Sequence, residues 1–349
     1  MRVATSIVSD TIGEAASRAR AAEQAGYDTV LTMENQHEPF LPLAAAVMTT
    51  ERVELGTSVA IAFARSPMVV ANASWDLQAS TRGRFVLGLG SQVKGHNERR
   101  FSVPWSAPAP RLGEYIDALR AIWRCWESNE PLNFEGRHYR FNLMPPNFKP
   151  APTGLPMVPI TISAVGPAML RLAGRVCDGV RLHPFCTRAY LENVVMKEIG
   201  AGLSGGARGR EHFEISGGGF IVTGPDEETV AKRAEHVRFR IAFYGSTRTY
   251  FPVWAEHGFE DLGRKLHRMS VEGGWDRMAR EIDDDVLQLF AAVGTYDRIV
   301  ELIADRFGGI CDTVAQAPDP DAFELLPPDL IQDIQRLPCA FRHFSSAER

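Results

Sequence analysis

The chain has 349 residues, a formal net charge of −5, 45% hydrophobic residues and five cysteines without a CxxC pair. This balance gives no sign of a nucleic-acid partner, and the scattered cysteines argue against a disulfide framework or zinc knuckle and fit a reducing cytosol. No run approaches the ~18 apolar residues of a membrane span and the start lacks the apolar core of a signal peptide, so we expect a cytoplasmic protein without membrane segments.

Strand-like and helix-like segments alternate along the chain. The strands are short apolar runs, and the helices carry apolar residues at helical spacing. In chain order, the predicted strands cover residues 2–7, 27–33, 53–63, 85–90, 158–163, 179–182, 213–222 and 311–317. The predicted helices cover residues 11–25 (with Gly26 as C-cap), 41–50, 68–80, 111–127, 168–177, 227–243, 286–293 and 295–307.

Eight strands alternating with helices favour a closed (β/α)8 TIM barrel of the α/β class over a doubly wound sheet. We predict a single domain over residues 1–349. Prolines break up a first insertion at about 129–156, and aromatic residues mark a second at about 244–282, which we expect to lie over the mouth of the barrel. The dinucleotide fingerprint lacks its third glycine, and nothing matches a phosphate-binding P-loop.

The fourth strand and the residues after it resemble one wall of a cofactor site. The run Phe85-Val86-Leu87 fits a strand buried on both faces, and Gly88 and Gly90 allow a backbone or ligand to approach closely. Polar and cationic side chains follow where the strand opens into a loop: Ser91, Gln92, Lys94, His96 and Arg99. These side chains fit the phosphate or acidic tail of a ligand, and a solvated basic turn is an equally weighted alternative.

Carboxylates flank a histidine after the second strand. Glu34, Asn35, His37 and Glu38 stand there, and a histidine beside carboxylates is typical of an acid/base pair. The alternatives are a solvated polar loop or a carboxylate that pairs with a core arginine.

Two further strand ends carry small residues. Within strand three, Gly56-Thr57-Ser58-Val59 predicts either a bulge that turns backbone amides toward a flat ligand or a tight barrel layer. After strand five, Ala164-Val165-Gly166-Pro167 leads into a helix whose free amides fit an anion, or forms a plain turn with proline at the first helical position.

The sequence has no metal motif and no nucleophile motif. HExxH, GxSxG and paired Cys/His spacings are lacking, so an organic cofactor is favoured over a metal or a catalytic triad. Six further histidines are scattered, and we assign them structural roles: His183, His212, His236, His257, His267 and His343.

Four stretches carry a family resemblance. YDTVLTMENQHEPFLPLAAA, ERVELGTSVAIAFARSPMVVA, GRFVLGLGSQVKGHNERRF and the GP turn followed by AGRVCDGV resemble the bacterial luciferase-like flavin and deazaflavin oxidoreductases, from residue 1 to about 320. The resemblance is closest to the F-420-dependent branch, in which the coenzyme is an 8-hydroxy-5-deazaflavin. It implies a TIM barrel with an insertion over the barrel mouth, a homodimer, and a flavin-like ring at the carboxyl ends of the strands.

The resemblance also implies roles for individual residues. A non-prolyl cis peptide at Ser58-Val59 bulges against the ring, Glu34 lies near the ring, and His37 is the candidate proton donor. Cofactor contacts are implied for the strand ends at Gly90, Ser91, Gln92, Lys94, Ala164, Val165 and Gly166. Val93 stands where sugar-phosphate dehydrogenases of the family carry a catalytic Glu, so glucose-6-phosphate dehydrogenase activity is not expected.

The implied activity is hydride transfer between coenzyme F-420 and a small organic substrate bound under the second insertion. One alternative is an FMN-dependent monooxygenase that receives reduced flavin from a partner reductase. The other is a flavin-binding protein without turnover.

Overall fold

Parallel strands form a closed barrel in the computed structural model, which describes residues 1–205, 208–316 and 323–345. The strands are β1 Arg2–Ser6, β2 Thr29–Thr32, β3 Glu54–Thr57, β4 Ala60–Ile61, β5 Phe85–Gly90, β6 Phe134–Glu135, β7 Arg140–Phe141, β8 Ile160–Ala164, β9 Gly179–Leu182, β10 Glu214–Gly217, β11 Phe220–Gly224, β12 Ala291–Thr295 and β13 Thr313–Ala315.

Helices follow most of the barrel strands. They are α1 Ile12–Ala25, α2 Phe40–Val47, α3 Pro67–Thr81, α4 Lys94–Arg99, α5 Pro108–Glu127, α6 Pro167–Val176, α7 Arg188–Tyr190, α8 Met196–Leu203, α9 Glu227–Gly245, α10 Phe251–Ala255, α11 Glu260–Val271, α12 Trp275–Met278, α13 Asp284–Phe290, α14 Ile299–Phe307 and α15 Pro328–Gln335. Across the described ranges, none of these helices is long and apolar enough to cross a bilayer.

The barrel closes between strands β3 and β5. The sheet runs in the order β3-β2-β1-β13-β10-β9-β8-β5-β4, and β3 also pairs with β5 through Leu55 and Phe85. The short β4 continues the direction of β3 and pairs with the carboxyl-terminal residues of β5. All of these pairs are parallel, so every strand points its carboxyl end to the same rim, and the predicted α/β (β/α)8 TIM barrel is confirmed.

Local sequence explains the first helix. The Thr11 side chain accepts a hydrogen bond from the amide of Glu14, which caps the amino end of α1. Ala15, Ala19 and Ala22 form its buried stripe, and Gly26 ends it with a left-handed φ of 98°, as predicted. The stripe of small residues lets α1 pack closely against its neighbours.

Two predicted segments are wrong in detail. The single strand over 213–222 is two strands in different sheets, because Gly217 and Gly218 adopt left-handed φ values of 85° and 98° and turn the chain. β10 stays in the barrel, whereas β11 pairs with β12 outside it. The predicted helix over 286–293 ends at Phe290, because its last residues form β12 and gain the backbone partners that β11 offers. The eighth strand is β13, and Ala317 of the predicted span lies outside the described residues.

A buried ion network closes the amino end of the barrel. Arg2 lies 3.2 Å from a Glu54 carboxylate oxygen and 3.1 Å from one of Glu214, whose other oxygen is 3.1 Å from Arg181. Burial raises the pKa of Glu54. Burial also acts to raise the pKa of Glu214, but the guanidinium groups of Arg181 and Arg2 outweigh it and lower that pKa. Since the amino end is filled by these groups, the residues that follow the carboxyl ends of the strands are the candidates for a site.

The two predicted insertions contain short elements. Residues 129–156 hold the antiparallel pair β6–β7, and residues 244–282 hold α10, α11 and α12. The boundaries of the single domain stay a prediction.

Candidate functional site at the carboxyl rim of the barrel

Glu34 is fixed at the rim by an arginine that follows the neighbouring strand segment, β3–β4. Its Oε2 accepts a hydrogen bond from Nη1 of Arg65 at 2.6 Å and another from the amide of Ile61 at 2.7 Å. The Glu34 side chain is only 7% exposed, so the pair is largely removed from solvent. Of the alternatives for this loop, the structure therefore shows a carboxylate paired with a core arginine. An acid/base role for Glu34 must operate from within that pair.

Glu38 shares the same arginine and organises the next helix. Arg65 Nη2 lies 3.3 Å from Glu38 Oε1, while Glu38 Oε2 accepts hydrogen bonds from the amides of Phe40 and Leu41. The carboxylate thus satisfies two donors at the start of α2. These contacts give Glu38 a structural role.

His37 lies away from this pair. Its ring is 49% exposed, and Nε2 is 3.8 Å from Oδ1 of Asp10 in the loop after β1. The structure thus places the predicted proton donor on the solvent side of the loop that carries Glu34.

The strand-three segment faces the end of β5. The peptide bond Ser58-Val59 is cis and non-prolyl, as the family resemblance implies. The amide of Ser58 donates to the carbonyl oxygen of Thr32 at 2.7 Å, which ties this segment to β2. A methyl group added at Gly90 would lie 2.6 Å from Cγ2 of Val59 and 2.9 Å from Oγ of Ser163. Ser58, Val59 and Gly90 are therefore brought together at one wall of the rim.

The residues after β5 form a short helix where sequence predicted a loop. Gln92 adopts a left-handed φ of 55° that turns the chain, and Asn97 fixes the turn by donating to the carbonyl oxygens of Ser91 and Val93. Lys94 is exposed and lies 3.9 Å from Glu98 of the same helix. Ser91 therefore lies at the rim, whereas Lys94 is solvated, as the alternative for this segment proposed.

The carboxyl end of β8 leads directly into α6. Ala164 is buried, the carbonyl oxygen of Val165 accepts a hydrogen bond from the Tyr190 hydroxyl at 3.1 Å, and Gly166 precedes the helix without a side-chain cap. A methyl group added at Gly166 would meet nothing within 4 Å. The amino end of α6 thus opens onto free space. Pro167 has no amide hydrogen, and the amide of Met169 donates to the carbonyl oxygen of Gly166 at 3.1 Å. This leaves the amide of Ala168 to suit an anionic group.

His183 is a rim residue that sequence reasoning assigned to structure. It follows β9 directly, and its Nδ1 accepts a hydrogen bond from the amide of Phe185 at 3.0 Å. Its ring centroid lies 4.3 Å from that of Tyr244 and 4.8 Å from that of Tyr250, both at the start of the second insertion. Burial, together with the charge of Arg240, lowers the pKa of His183 to about 3. The signal in the sequence was its position immediately after a predicted strand.

A separate cavity lies on the outside of the barrel. It has a volume of about 500 Å³ and is lined by α3 and the proline-rich segment that precedes β8, with Trp75, Arg82 and Leu155 among its walls. None of the predicted site residues lines it, so the rim remains the candidate site.

The rim residues fit a flat ring with an anionic tail. Val59 and Gly90 form a close-packed wall, and the buried carboxylate of Glu34 lies beside it. The amino end of α6 at Gly166 borders open space. Among the described residues, no group of three or more His, Cys, Asp or Glu side chains is placed to hold a metal ion.

Comparisons with known proteins agree with this geometry. The sequence profile of the luciferase-like monooxygenases matches residues 1–312. The uncharacterized protein Rv1360 of Mycobacterium tuberculosis is 43% identical over 307 residues, which covers 88% of this chain and 90% of that protein. The putative coenzyme F-420-dependent oxidoreductase Rv3520c of the same organism is 30% identical, with coverage of 81% and 84%. The solved structure of the coenzyme F-420-dependent tetrahydromethanopterin reductase from Methanopyrus kandleri superposes with a TM-score of 0.76 at 17% identity, with coverage of 96% and 97%.

Proposed function

Because the chain belongs to the luciferase-like monooxygenase family, we propose that it is an oxidoreductase that transfers a hydride between coenzyme F-420 and a small organic substrate. The observation that carries the choice of site is the buried Glu34–Arg65 pair beside the wall formed by Val59 and Gly90. The choice of a deazaflavin over FMN is supported by the relative at 30% identity that is named a putative coenzyme F-420-dependent oxidoreductase.

The chain's own residues have distinct tasks in this proposal. Val59 and Gly90 support one face of a planar ring, and the amide of Ala168 at the start of α6, beside Gly166, holds the anionic tail. When bound, the deazaflavin supplies the carbon that accepts or donates the hydride. Glu34 is held in one position by Arg65 and Ile61, so it offers a fixed acceptor at the rim.

His37 supplies the proton in this proposal. Its imidazole is half-exposed and has no carboxylate nearer than Asp10 Oδ1 at 3.8 Å among the described residues, whereas Glu34 is engaged by two donors. The protein's remaining contribution is to align the reactants and exclude water from them.

A cofactor titration tests the proposal. Purified protein is titrated with F-420 and with FMN, and the change in cofactor fluorescence gives both affinities. We expect F-420 to bind at least about tenfold more tightly, which corresponds to about 1.4 kcal/mol. Tight FMN binding with negligible F-420 binding would overturn the proposal and favour the monooxygenase, which would need a partner flavin reductase. F-420 binding without reduction of any carbonyl, alkene or imine substrate would favour the non-catalytic alternative.

We also propose that the protein is a homodimer. Large apolar side chains are exposed on adjacent helices, namely Leu41 (55%) on α2, Met48 (83%) directly after it and Val69 (58%) on α3. Such a patch on a surface helix pair is typical of an interface between identical subunits. Light scattering is expected to give twice the chain mass, and Met48→Glu is expected to give monomers, whereas Val271→Glu on α11 should not.

A further inference from the structure

His183 and Glu34 stand on opposite sides of the barrel mouth. Around the closed barrel, β2 reaches β9 in four steps through β3, β5 and β8, and in four steps through β1, β13 and β10. Glu34 follows β2 and His183 follows β9, so these two residues lie across the rim from each other. A substrate placed above a ring on the β3–β5 wall therefore has the His183 side as its other wall.

The hydrogen bond that His183 accepts defines its tautomer. Nδ1 accepts the amide hydrogen of Phe185, so the proton of a neutral imidazole is on Nε2. The ring is neutral at physiological pH, because burial and the charge of Arg240 disfavour the imidazolium. Nε2 has no hydrogen-bond partner within residues 1–205, 208–316 and 323–345, and the ring is half-buried. His183 thus offers a single neutral N–H donor at the rim.

Two aromatic rings lie against the imidazole of His183. Tyr244 meets the imidazole edge to face, and Tyr250 lies tilted against it at a centroid distance of 4.8 Å. Arg240 fixes Tyr244 by donating to its hydroxyl at 2.6 Å. These rings favour a planar, uncharged molecule, and an N–H donor among them favours an acceptor oxygen on that molecule.

We propose that His183 binds the carbonyl oxygen of the substrate through Nε2–H, and that the substrate is a planar, uncharged carbonyl compound packed against Tyr244 and Tyr250. This inference rests on the proposed function and names the substrate class of the same site. His183 acts by binding and orienting the carbonyl, and it keeps its proton throughout. A neutral imidazole polarises the carbonyl without adding a charge to the pocket.

A pair of probe ligands separates the hydrogen bond from aromatic packing. Acetophenone carries the carbonyl, and ethylbenzene has a similar shape without an acceptor oxygen. Binding of both is measured by ligand-observed NMR, and the infrared band of ¹³C=O-labelled acetophenone reports a hydrogen bond to its oxygen. The proteins are wild type, His183→Phe, His183→Gln (which keeps an N–H donor) and His212→Gln, a control at the amino end of β10.

We expect His183→Phe to weaken acetophenone binding about tenfold while changing ethylbenzene binding less than about twofold. The downshift of the carbonyl band should disappear in His183→Phe, persist in His183→Gln and be unchanged in His212→Gln. Equal losses for both ligands, or a band that is the same in wild type and His183→Phe, would overturn the proposal. If His183→Phe fails to fold, the wild-type spectrum alone tests the proposal. A carbonyl band of bound acetophenone that is not downshifted in wild type would overturn it.

The same proteins are titrated with F-420 to separate this inference from the proposed function. Unchanged F-420 affinity in His183→Phe is expected, because His183 lies across the rim from Glu34 and the β3–β5 wall. If wild type binds no F-420 but shows the acetophenone band shift, the choice of cofactor is wrong and the carbonyl site stands.

Discussion

Arg65 Nη1 lies 2.6 Å from Glu34 Oε2, and its other terminal nitrogen lies 3.3 Å from Glu38. One arginine between β4 and α3 thus ties together two carboxylates of the β2–α2 loop. The guanidinium also lies over the ring of Phe40, 5.7 Å from its centroid. A planar fork with several donors can satisfy this set at once, and an ammonium group cannot.

Replacing Arg65 should loosen the Glu34 side of the rim. In Arg65→Met, we expect the stability to fall by about 2 kcal/mol and F-420 affinity to fall at least about tenfold, because a mostly buried carboxylate loses its charged donor. Arg65→Lys should recover only part of both. Thermal unfolding and cofactor titration measure the effects, and Arg52→Met, on a 73% exposed side chain, is the control. Wild-type F-420 affinity in Arg65→Met would show that the Glu34–Arg65 pair is not part of the cofactor site.

This pair marks the limit of what the sequence could predict. Alternating segments predicted the barrel, and strand ends predicted Glu34 as a rim residue. The partner of Glu34 is 31 residues away, and only the pairing of β2 with β3 brings the two ends together. A core arginine was one of the alternatives for this loop, but sequence spacing gave no basis for choosing Arg65.

Substitutions of His37 and Glu34 should affect turnover and F-420 binding differently. We expect His37→Asn to lower kcat about 100-fold, in the range typical of a lost general acid, while F-420 affinity changes less than about twofold. Glu34→Gln should weaken F-420 binding as well, because the residue contacts both Arg65 and the backbone of β4. Stopped-flow hydride transfer and cofactor titration measure the two effects. Full turnover in His37→Asn would assign the proton to another donor.

Gly90 should tolerate no side chain. In Gly90→Ala the new methyl group would lie 2.6 Å from Cγ2 of Val59, so Val59 must move. We expect a loss of stability of about 1–3 kcal/mol, typical of overpacking, and at least tenfold weaker F-420 binding. Gly13→Ala is the matched control, because nothing lies within 4 Å of its added methyl group. Wild-type cofactor affinity in a folded Gly90→Ala protein would contradict the assignment of this wall.

Glycines also explain where the sequence prediction went wrong. The close approach at Gly90 was predicted from a glycine inside an apolar run. A glycine run, Gly217-Gly218-Gly219, also interrupts the predicted seventh strand. Two left-handed φ values there send β11 out of the barrel. Once β11 has left the barrel, β12 has a partner, and the short apolar run that resembled a helix becomes a strand.

The ion network at the amino end should affect stability and leave cofactor binding unchanged. Glu214→Ala leaves Arg2 and Arg181 without their shared carboxylate, so we expect a loss of about 3–5 kcal/mol. Chemical denaturation measures this loss, and cofactor titration of the folded protein should give wild-type affinity. Glu135→Ala, which removes an exposed pair with Arg140, should cost less than about 1 kcal/mol. Equal effects of the two variants would show that the network contributes little.

The depressed pKa of His183 predicts a contribution to acid sensitivity. The pKa is about 3 in the folded protein and about 6.5 in the unfolded chain, so the unfolded state takes up the proton first as the pH falls. Stability from this group is fully present above pH 6.5 and is lost progressively between about pH 6.5 and pH 3. The groups that face the ring are the phenols of Tyr244 and Tyr250 and the guanidinium of Arg240.

The corresponding measurement compares the stability of wild type and His183→Phe by urea denaturation at pH 7, 6, 5 and 4.5. Buried carboxylates titrate in both proteins, so the difference in stability between the two proteins isolates the contribution of the imidazole. We expect wild type to lose more stability than His183→Phe across this range, because phenylalanine cannot take up a proton when the chain unfolds. Parallel stability curves would mean that the ring is protonated as readily in the folded protein as in the unfolded chain. The imidazole would then be a neutral N–H donor only above about pH 6.5.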